Sequence, residues 1–554
     1  MSTEVEQHQT SHDADVVVIG AGPAGMMTAN LLGGYGVRVL VLEAGGAIVD
    51  YPRGVGMDDE TLRTFQSAGL VDEVLPHTVP NQPLVFMDRK HRDLARIAPP
   101  AADFGWPRRN GFVQPLADRV LLDGLARFQN VTVQMSSRVS SIAQDERGVT
   151  LTVEGPDGMR TVTSQYAVGA DGGSSQTRKG LGLGFAGTTA TSNWLVVDIR
   201  NDPLGQPGSY VGADPRRPYV SISIPHGIRR FEFMLLGREA EGEADRDDFV
   251  RGLIAPLVPA TANVDIIRRR VYVHHSRIAE HFRLGRVLLV GDAAHVMPVW
   301  QGQGYNSGIR DAFNLAWKLA LVVRETAPET LLDTYEVERF GHVKAMVQLS
   351  RWVGQVVSIR NRFGAAARDL FFHTVSLVPS VKQYIVQMRF KPMPTMEAGA
   401  LTHVGSESTP TPVGRLFPQP MVATATHPSV RLDDAIGPWF TLVAWNNDPL
   451  ALLDDAAREV VKRLGIRLVA ARPAVQLDWS DGSVGSDVLV VGDLGGSLQR
   501  WFEAHPESVV LIRPDRIVGG ASAAHAASQM VRAFAAEVGA TAPPAASRKE
   551  VTPR

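Results

Sequence analysis

Hydrophobic and polar positions along the chain fall into a few patterns. Residues 15–19 (DVVVI) carry a run of β-branched side chains, the composition of a strand buried on both faces. A glycine-rich turn follows, then an apolar stretch over 26–32 that predicts a helix and a second apolar run over 37–42. Strand, helix and strand in so short a span predict a parallel β-α-β unit. Another apolar run at 286–290 precedes Ile309, Phe313, Ala316, Trp317 and Ala320, which share one face of a helix. Residues 187–277 alternate instead, as in VSISI (220–224) and RFEFML (230–235). One apolar and one polar face predicts mostly antiparallel strands. Residues 330–400 read as helical, chiefly over 331–340 and 343–357. The Pro-rich stretch 409–420 reads as a linker. Beyond it, 440–445, a helix at 456–464, 488–491 and 508–512 predict a β-α-β-β series. There is no internal repeat.

Composition removes whole classes of function. At 554 residues the chain is long enough for two or three domains. A hydrophobic content of 44% and a net charge of −2 suit a globular protein and leave no basic footprint for nucleic acid or an anionic membrane. With no cysteine, disulfides, thiolate catalysis, Cys-ligated zinc and iron–sulfur clusters are excluded. The acidic, polar N-terminus has no apolar core of a signal peptide, and no apolar run reaches the ~18 residues of a membrane span. A cytoplasmic location is therefore expected.

Two motifs carry the candidate chemistry. Gly20-Ala21-Gly22-Pro23-Ala24-Gly25 fits G-x-G-x-x-G between the first strand and helix. Gly20 allows the tight turn, Gly22 lets backbone approach a pyrophosphate, and Gly25 lets the helix sit close to the strand. The helix N-terminus then faces the phosphates, and Glu43, at the end of the second strand, is placed to bond a ribose hydroxyl. The second motif, GRVLLVGDAAHVMPVWQGQGYN (285–306), distinguishes FAD from NAD. Its carboxylate, Asp292, can accept hydrogen bonds from a ribityl chain, and Pro298, Gly302 and Gly304 make a loop able to lie against a flat ring. Asn306 or Ser307 is the expected N-cap of the following helix, whose N-terminus would stabilise an anionic reduced flavin.

These two motifs, with GADGGSSQTR (169–178) between them, resemble the signatures of the class A flavoprotein aromatic hydroxylases, single-component FAD enzymes of the p-hydroxybenzoate and phenol hydroxylase type. Residues 51–63, 104–115, 217–234 and 388–394 are further similar to the branch that acts on 3-(3-hydroxyphenyl)propionate. The resemblance spans about 14–535. It implies an α/β chain, α+β overall: a Rossmann-like FAD-binding domain, an antiparallel-sheet substrate domain and a C-terminal thioredoxin-like domain. The expected bounds are 14–186 with 278–400 for the first, 187–277 with part of 80–110 for the second, and 410–540 for the third. Tails are expected at 1–13 and 541–554. Lacking Cys-x-x-Cys, the last domain cannot do dithiol chemistry; it leaves a homodimer open.

The resemblance implies a reaction. NAD(P)H, with NADH favoured, reduces bound FAD, which activates O2 and delivers an electrophilic oxygen to a phenol. The expected substrates are 3-(3-hydroxyphenyl)propionate and 3-hydroxycinnamate, hydroxylated ortho to the phenol in aromatic catabolism, to give 3-(2,3-dihydroxyphenyl)propionate from the former. The protein must supply a dry cavity and help with a phenol proton of pKa ~10. By the same resemblance Arg53, Gln114 and Asp171 join the FAD-binding set. Trp300, Gln301, Arg217, Tyr219 and His226 are substrate-pocket candidates, the last three also as weak catalytic candidates; Arg108 and Arg109 are candidates to reach FAD or a carboxylate, with a solvated Arg pair as the alternative reading. His295 reads as a packed residue shaping its loop. No metal site is expected. The Asp base of phenol hydroxylase relatives is replaced by Val55, with Asp58 and Asp59 beyond it. Another phenol or a polyketide aromatic is the alternative substrate, and a flavin-binding protein without turnover the alternative class.

Overall fold

The computed structural model describes residues 12–51, 53–100, 103–261, 263–406, 409–477 and 487–540. The expected tail 541–554 and residues 1–11 of the other lie outside them. Asp13, the last residue of that tail, is held: its carboxylate accepts from the backbone N–H of Thr163 at 2.8 Å. The chain divides into two compact units, Met1–Ala316 with Arg339–Met393, and Trp317–Glu338 with Pro394–Arg554.

The first unit holds two eight-stranded sheets. In one, Val287–Leu289, Gly158–Gly169, Ala14–Ile19, Val39–Leu42 and Val131–Gln134 lie parallel in that order. The Val-rich strand Ala14–Ile19 sits at its centre, and its side chains are almost wholly buried. Crossing from it to Val39–Leu42 is the helix Pro23–Gly34, packed on Gln114–Leu125.

The other sheet runs His295–Val296, Asp265–Ala279, Phe185–Arg200, Ile228–Met234, Tyr219–Ile224, Ser209–Gly212, Leu84–Met87, Asp93–Ile97. All of its pairs are antiparallel except Ser209–Gly212 with Leu84–Met87. Alternation sets its faces: Val220 and Ile222 pack into one core with Trp194 and Trp300, while Tyr219, Phe231 and Phe233 pack into another on the opposite side. The short strand His295–Val296 pairs with Ile278 and Arg277, so the loop after Asp292 is laddered to this sheet. The two helical pieces expected at 331–340 and 343–357 are one helix, Asp333–Val357. Gly341 falls inside it, a substitution a long helix tolerates at a cost of ~1 kcal/mol.

In the second unit, a seven-stranded sheet has the order Val430–Arg431, Met421–Ala423, Val488–Asp493, Arg467–Pro473, Thr441–Trp445, Val509–Ile512, Val518–Ser522. Its parallel centre and antiparallel hairpin, with helices Asp455–Leu464 and Ala527–Glu537, give a thioredoxin-like arrangement. Strands 467–473 and 518–522 carry no clear period-two signal: one mixes Arg, Ala and Pro, the other is glycine-rich. Elsewhere in this unit Glu338 binds both the Lys318 ammonium, at 2.8 Å, and the Arg513 guanidinium, at 2.7 Å, all three fully buried. Among the described residues no helix is long and apolar enough to cross a membrane.

Candidate active site

The strand Ala14–Ile19 ends in a turn whose glycines are required for different reasons. Gly20 has φ 107°, and a Cβ there would lie 2.6 Å from the Ala170 carbonyl oxygen. One on Gly25 would lie 2.2 Å from the Gly20 oxygen. At Gly22, the N-cap before Pro23, a Cβ would meet nothing nearer than 3.8 Å. That space opens over the free N–H groups of a helix N-terminus, a natural anion seat. Glu43 takes hydrogen bonds from the backbone N–H groups of Ala21 at 2.8 Å and Gly45 at 2.7 Å. A carboxylate has about four acceptor sites, so capacity remains for a ribose.

Asp171 braces the start of the short helix Gln176–Gly180, whose N-cap is Ser175, accepting from the Ser175 hydroxyl at 2.5 Å and the Thr177 N–H at 2.9 Å. Arg178 ties this segment to the next motif by donating to the Ala293 carbonyl at 2.8 Å. The loop after the strand Val287–Leu289 is braced from behind. Asp311 accepts from Gly291 N–H at 3.0 Å, pairs with His295 Nε2 at 2.6 Å and with Arg339 Nε at 2.9 Å. His295 is thus a packed loop-shaper. Asp292 opens onto an internal cavity, yet lies deep enough that burial pushes its carboxyl above its usual range.

Pro298 leads into the turn Val299–Gln301, Gly302 takes a left-handed conformation at φ 64°, and the helix starts at Gln303. The N-cap expected at Asn306 or Ser307 is therefore wrong; both lie inside the first turns. Asn306 is instead a buried cross-brace. Its amide N–H groups donate to the carbonyls of Gly302 at 2.6 Å and Gly56 at 3.1 Å, and its oxygen accepts from Asp58 N–H at 3.0 Å and the Thr61 hydroxyl at 2.7 Å. Gln114 is used in the same way: its oxygen accepts from the N–H of Arg53 at 2.9 Å and Gly54 at 2.6 Å, shaping the segment that brings Arg53 to the cavity. Asp58 and Glu60 are bound by Arg310 and by Lys391, whose Nζ lies 2.9 and 3.3 Å away. With Asp59 they have a spacing that suits a metal, but Arg310 and Lys391 already offset Asp58 and Glu60, and Arg108 lies 3.8 Å from Asp59.

One cavity of about 780 Å³ joins these parts. Gly20, Gly22, Pro23, Ala24, Glu43, Arg53, Gln114, Asp171, Asp292, Gly302 and Gly304 line it, and its far wall is the antiparallel sheet. There the sequence expectations need correction. Val220 and Ile222 face the cavity, so the period of two turns Tyr219 to the opposite face. Its hydroxyl lies 3.2 Å from His91, and burial pushes its pKa up to about 12. Arg217 is held bidentately by Glu239 at 2.6 and 2.7 Å and does not line the cavity. His226 sits exposed in the turn after the strand, at φ 64°, beside His77. Trp300 does wall the cavity, edge-on to Trp194 at 5.0 Å. The side chain of Gln301 lies outside what is described.

Residues the sequence reading passed over fill the place of those three. Arg268, Arg270, Tyr272 and His274 project from the strand Asp265–Ala279 at every second position and line the cavity, with Arg230 and Glu232 from Ile228–Met234. Arg268 and Arg270 lie over the ring of Tyr51, at 4.5 and 4.9 Å. Arg230 is paired to Asp198 at 2.8 Å. The alternation in RRRVYVHHS (268–276) was the available signal.

This architecture defines a flavoprotein: a β-α-β dinucleotide turn and a second loop with a free carboxylate open into the same cavity. Residues 13–350 match the family model described as an FAD binding domain, and 414–537 the HcaD C-terminal domain. The chain belongs to the FAD-binding-domain family and is an FAD-dependent aromatic hydroxylase, a flavin monooxygenase. It is 55% identical to the 3-(3-hydroxy-phenyl)propionate/3-hydroxycinnamic acid hydroxylase of Mycolicibacterium smegmatis, over 94% of this chain and 92% of that one. Identity to the protein of the same name from Paraburkholderia xenovorans is 48%, over 92% and 88%. Among solved structures, the fold is similar to the flavin-dependent monooxygenase PieE in complex with FAD and substrate, at TM-score 0.77 and 23% identity, covering 95% of this chain and 100% of that one. Aklavinone-11 hydroxylase with FAD and aklavinone gives 0.71 and 24%, covering 95% and 99%.

Proposed function

We propose that the protein hydroxylates 3-(3-hydroxyphenyl)propionate and 3-hydroxycinnamate ortho to the phenol, giving 3-(2,3-dihydroxyphenyl)propionate from the former, with NADH as reductant. One observation carries this reading: a single cavity joins the dinucleotide turn to an aromatic-walled sheet, in a chain about half identical to hydroxylases named for these two acids. The residues fit FAD. The pyrophosphate would sit in the space over Gly22, against the N-terminus of Pro23–Gly34, with a ribose on Glu43 and the ribityl chain on Asp292. Gly302 and Gly304 keep the loop and helix start close enough to meet a flat ring. Once reduced by the nicotinamide cosubstrate, FAD supplies the activated oxygen. Trp300, Val211, Val220 and Ile222 exclude water around the substrate ring.

Arg109 replaces Arg217 as the seat for the propionate. It lines the cavity, its Nε donates to the Gln82 carbonyl at 3.3 Å, and among the described residues no carboxylate forms a close ion pair with it, Asp58 acting on it only from further off. Burial brings its pKa down to about 10, so it stays charged at pH 7. Its remaining N–H groups suit a bidentate carboxylate.

The test follows NADH oxidation by the holoenzyme with the acid, and with 3-ethylphenol, which lacks the carboxylate, while catechol and H2O2 are measured. Strong stimulation by the acid alone, with catechol and little peroxide, is the expected result. Stimulation with mostly peroxide would assign the enzyme to another phenol. No stimulation by any phenol would count against turnover.

A further inference from the structure

Building on the hydroxylase reading above, we propose that His274 accepts the proton of the substrate phenol, and that Tyr272 and Glu232 fix its imidazole for that task. The phenol O–H bond breaks, an Nδ1–H bond forms, and the electron pair stays on the phenol oxygen to feed the ring as it takes up oxygen.

The hydrogen-bond chain sets the tautomer. The Tyr272 hydroxyl donates its one proton to Glu232 at 2.8 Å. Its oxygen, 3.2 Å from His274 Nε2, must then accept from that nitrogen. Nε2 carries the imidazole proton, which leaves Nδ1 a lone pair. Among the described residues no hydrogen bond reaches Nδ1, while the side chain lines the cavity. The ring packs against both Trp194, at 5.6 Å, and Trp300, at 5.3 Å, which limits its rotation. The position that resembles an Asp base in related hydroxylases holds Val55, and Asp58 is bound by Arg310 and Lys391.

The electrostatics keep the acceptor nitrogen unprotonated. Burial, with His275 beside it, brings the His274 pKa down to about 4, so the imidazole is neutral with its lone pair free at working pH. Tyr272 is held well above its ordinary range by burial and by Glu232, and it stays a proton donor. Burial raises the Glu232 carboxyl, with Arg230 drawing it back. A weak base suffices, because the phenol proton becomes strongly acidic only as positive charge develops on the attacked ring.

The experiment compares wild type with His274→Phe, His274→Gln and Tyr272→Phe, each purified as holoenzyme with FAD content confirmed. Catechol formed per NADH consumed is measured on a panel of phenols and scored on whichever the wild type couples best, so that loss of the substrate reading leaves the test intact. His274→Phe is expected to lower this ratio about 100-fold. His274→Gln, which keeps an acceptor, should recover part of it, and Tyr272→Phe should fall between. A substrate carrying fluorine at C4, whose hydroxyl is more acidic, should narrow the gap between variant and wild type. A ratio within twofold of wild type in His274→Phe, or an equal loss on the fluorinated ring, overturns the proposal. A wild type that couples no phenol overturns both readings.

Discussion

At Gly22 the shape of the turn separates stability from cofactor binding. A side chain there meets no protein atom closely, whereas one at Gly20 or Gly25 collides with backbone. Gly22→Val is therefore expected to leave the Tm of the apoprotein within a few degrees and to abolish FAD retention, read as loss of flavin absorbance after gel filtration. Asp292 makes the opposite separation. Burial raises its pKa in the folded state. A carboxyl held above its unfolded pKa costs stability wherever pH exceeds that unfolded value, and the cost vanishes as pH falls below it. Asp292→Asn should thus raise the apoprotein Tm at pH 7, by an amount that shrinks as pH falls through the raised folded-state pKa and is gone below about pH 4, while weakening FAD binding. Thermal scans with and without added FAD check both halves. The glycines and Asp292 were readable in sequence because their spacing encodes a backbone shape. Arg109 and His274 were not ranked there, since what singles them out is which of their atoms stay unbonded among the described residues, and that depends on segments distant in the chain.

Strands and helices differ in how they could be read. The alternation of VSISI correctly marks a strand, Tyr219–Ile224, but a period of two leaves open which face meets the cavity. That ambiguity turned Tyr219 outward and left Val220 and Ile222 inside. The start of the helix Gln303–Val323 was misplaced for a related reason. Asn is a good N-cap by propensity, but Asn306 spends three of its four hydrogen bonds across to residues 56–61 and the fourth on the Gly302 carbonyl. Asn306→Ala would strand those buried groups and is expected to cost about 2–3 kcal/mol, measured by urea denaturation of the apoprotein. FAD should restore part of the loss, because binding to the native state alone stabilises it.

For the molecule as a whole, the two flavin motifs announced the class, while the second unit was legible only in outline. Its buried ionic cluster is invisible to sequence: Arg513 comes from a segment far along the chain from Lys318 and Glu338. Glu338→Gln would leave the Lys318 ammonium and part of the Arg513 charge uncompensated in the interior, a loss of about 3–5 kcal/mol. Chemical denaturation of the full chain tests it, with Val475→Ala, at an exposed position of the same unit, as a control of small effect.

The ladder between Ile278 and His295 has a consequence for how this enzyme can be retuned. The strand that carries Tyr272 and His274 is stitched to the loop that carries Asp292, so remodelling it would disturb cofactor and proton chemistry together. Val220, Ile222 and Val211 sit on strands further across the sheet from that stitch. New ring shapes are best sought there, where the pocket can be recut and the oxidative machinery left in place.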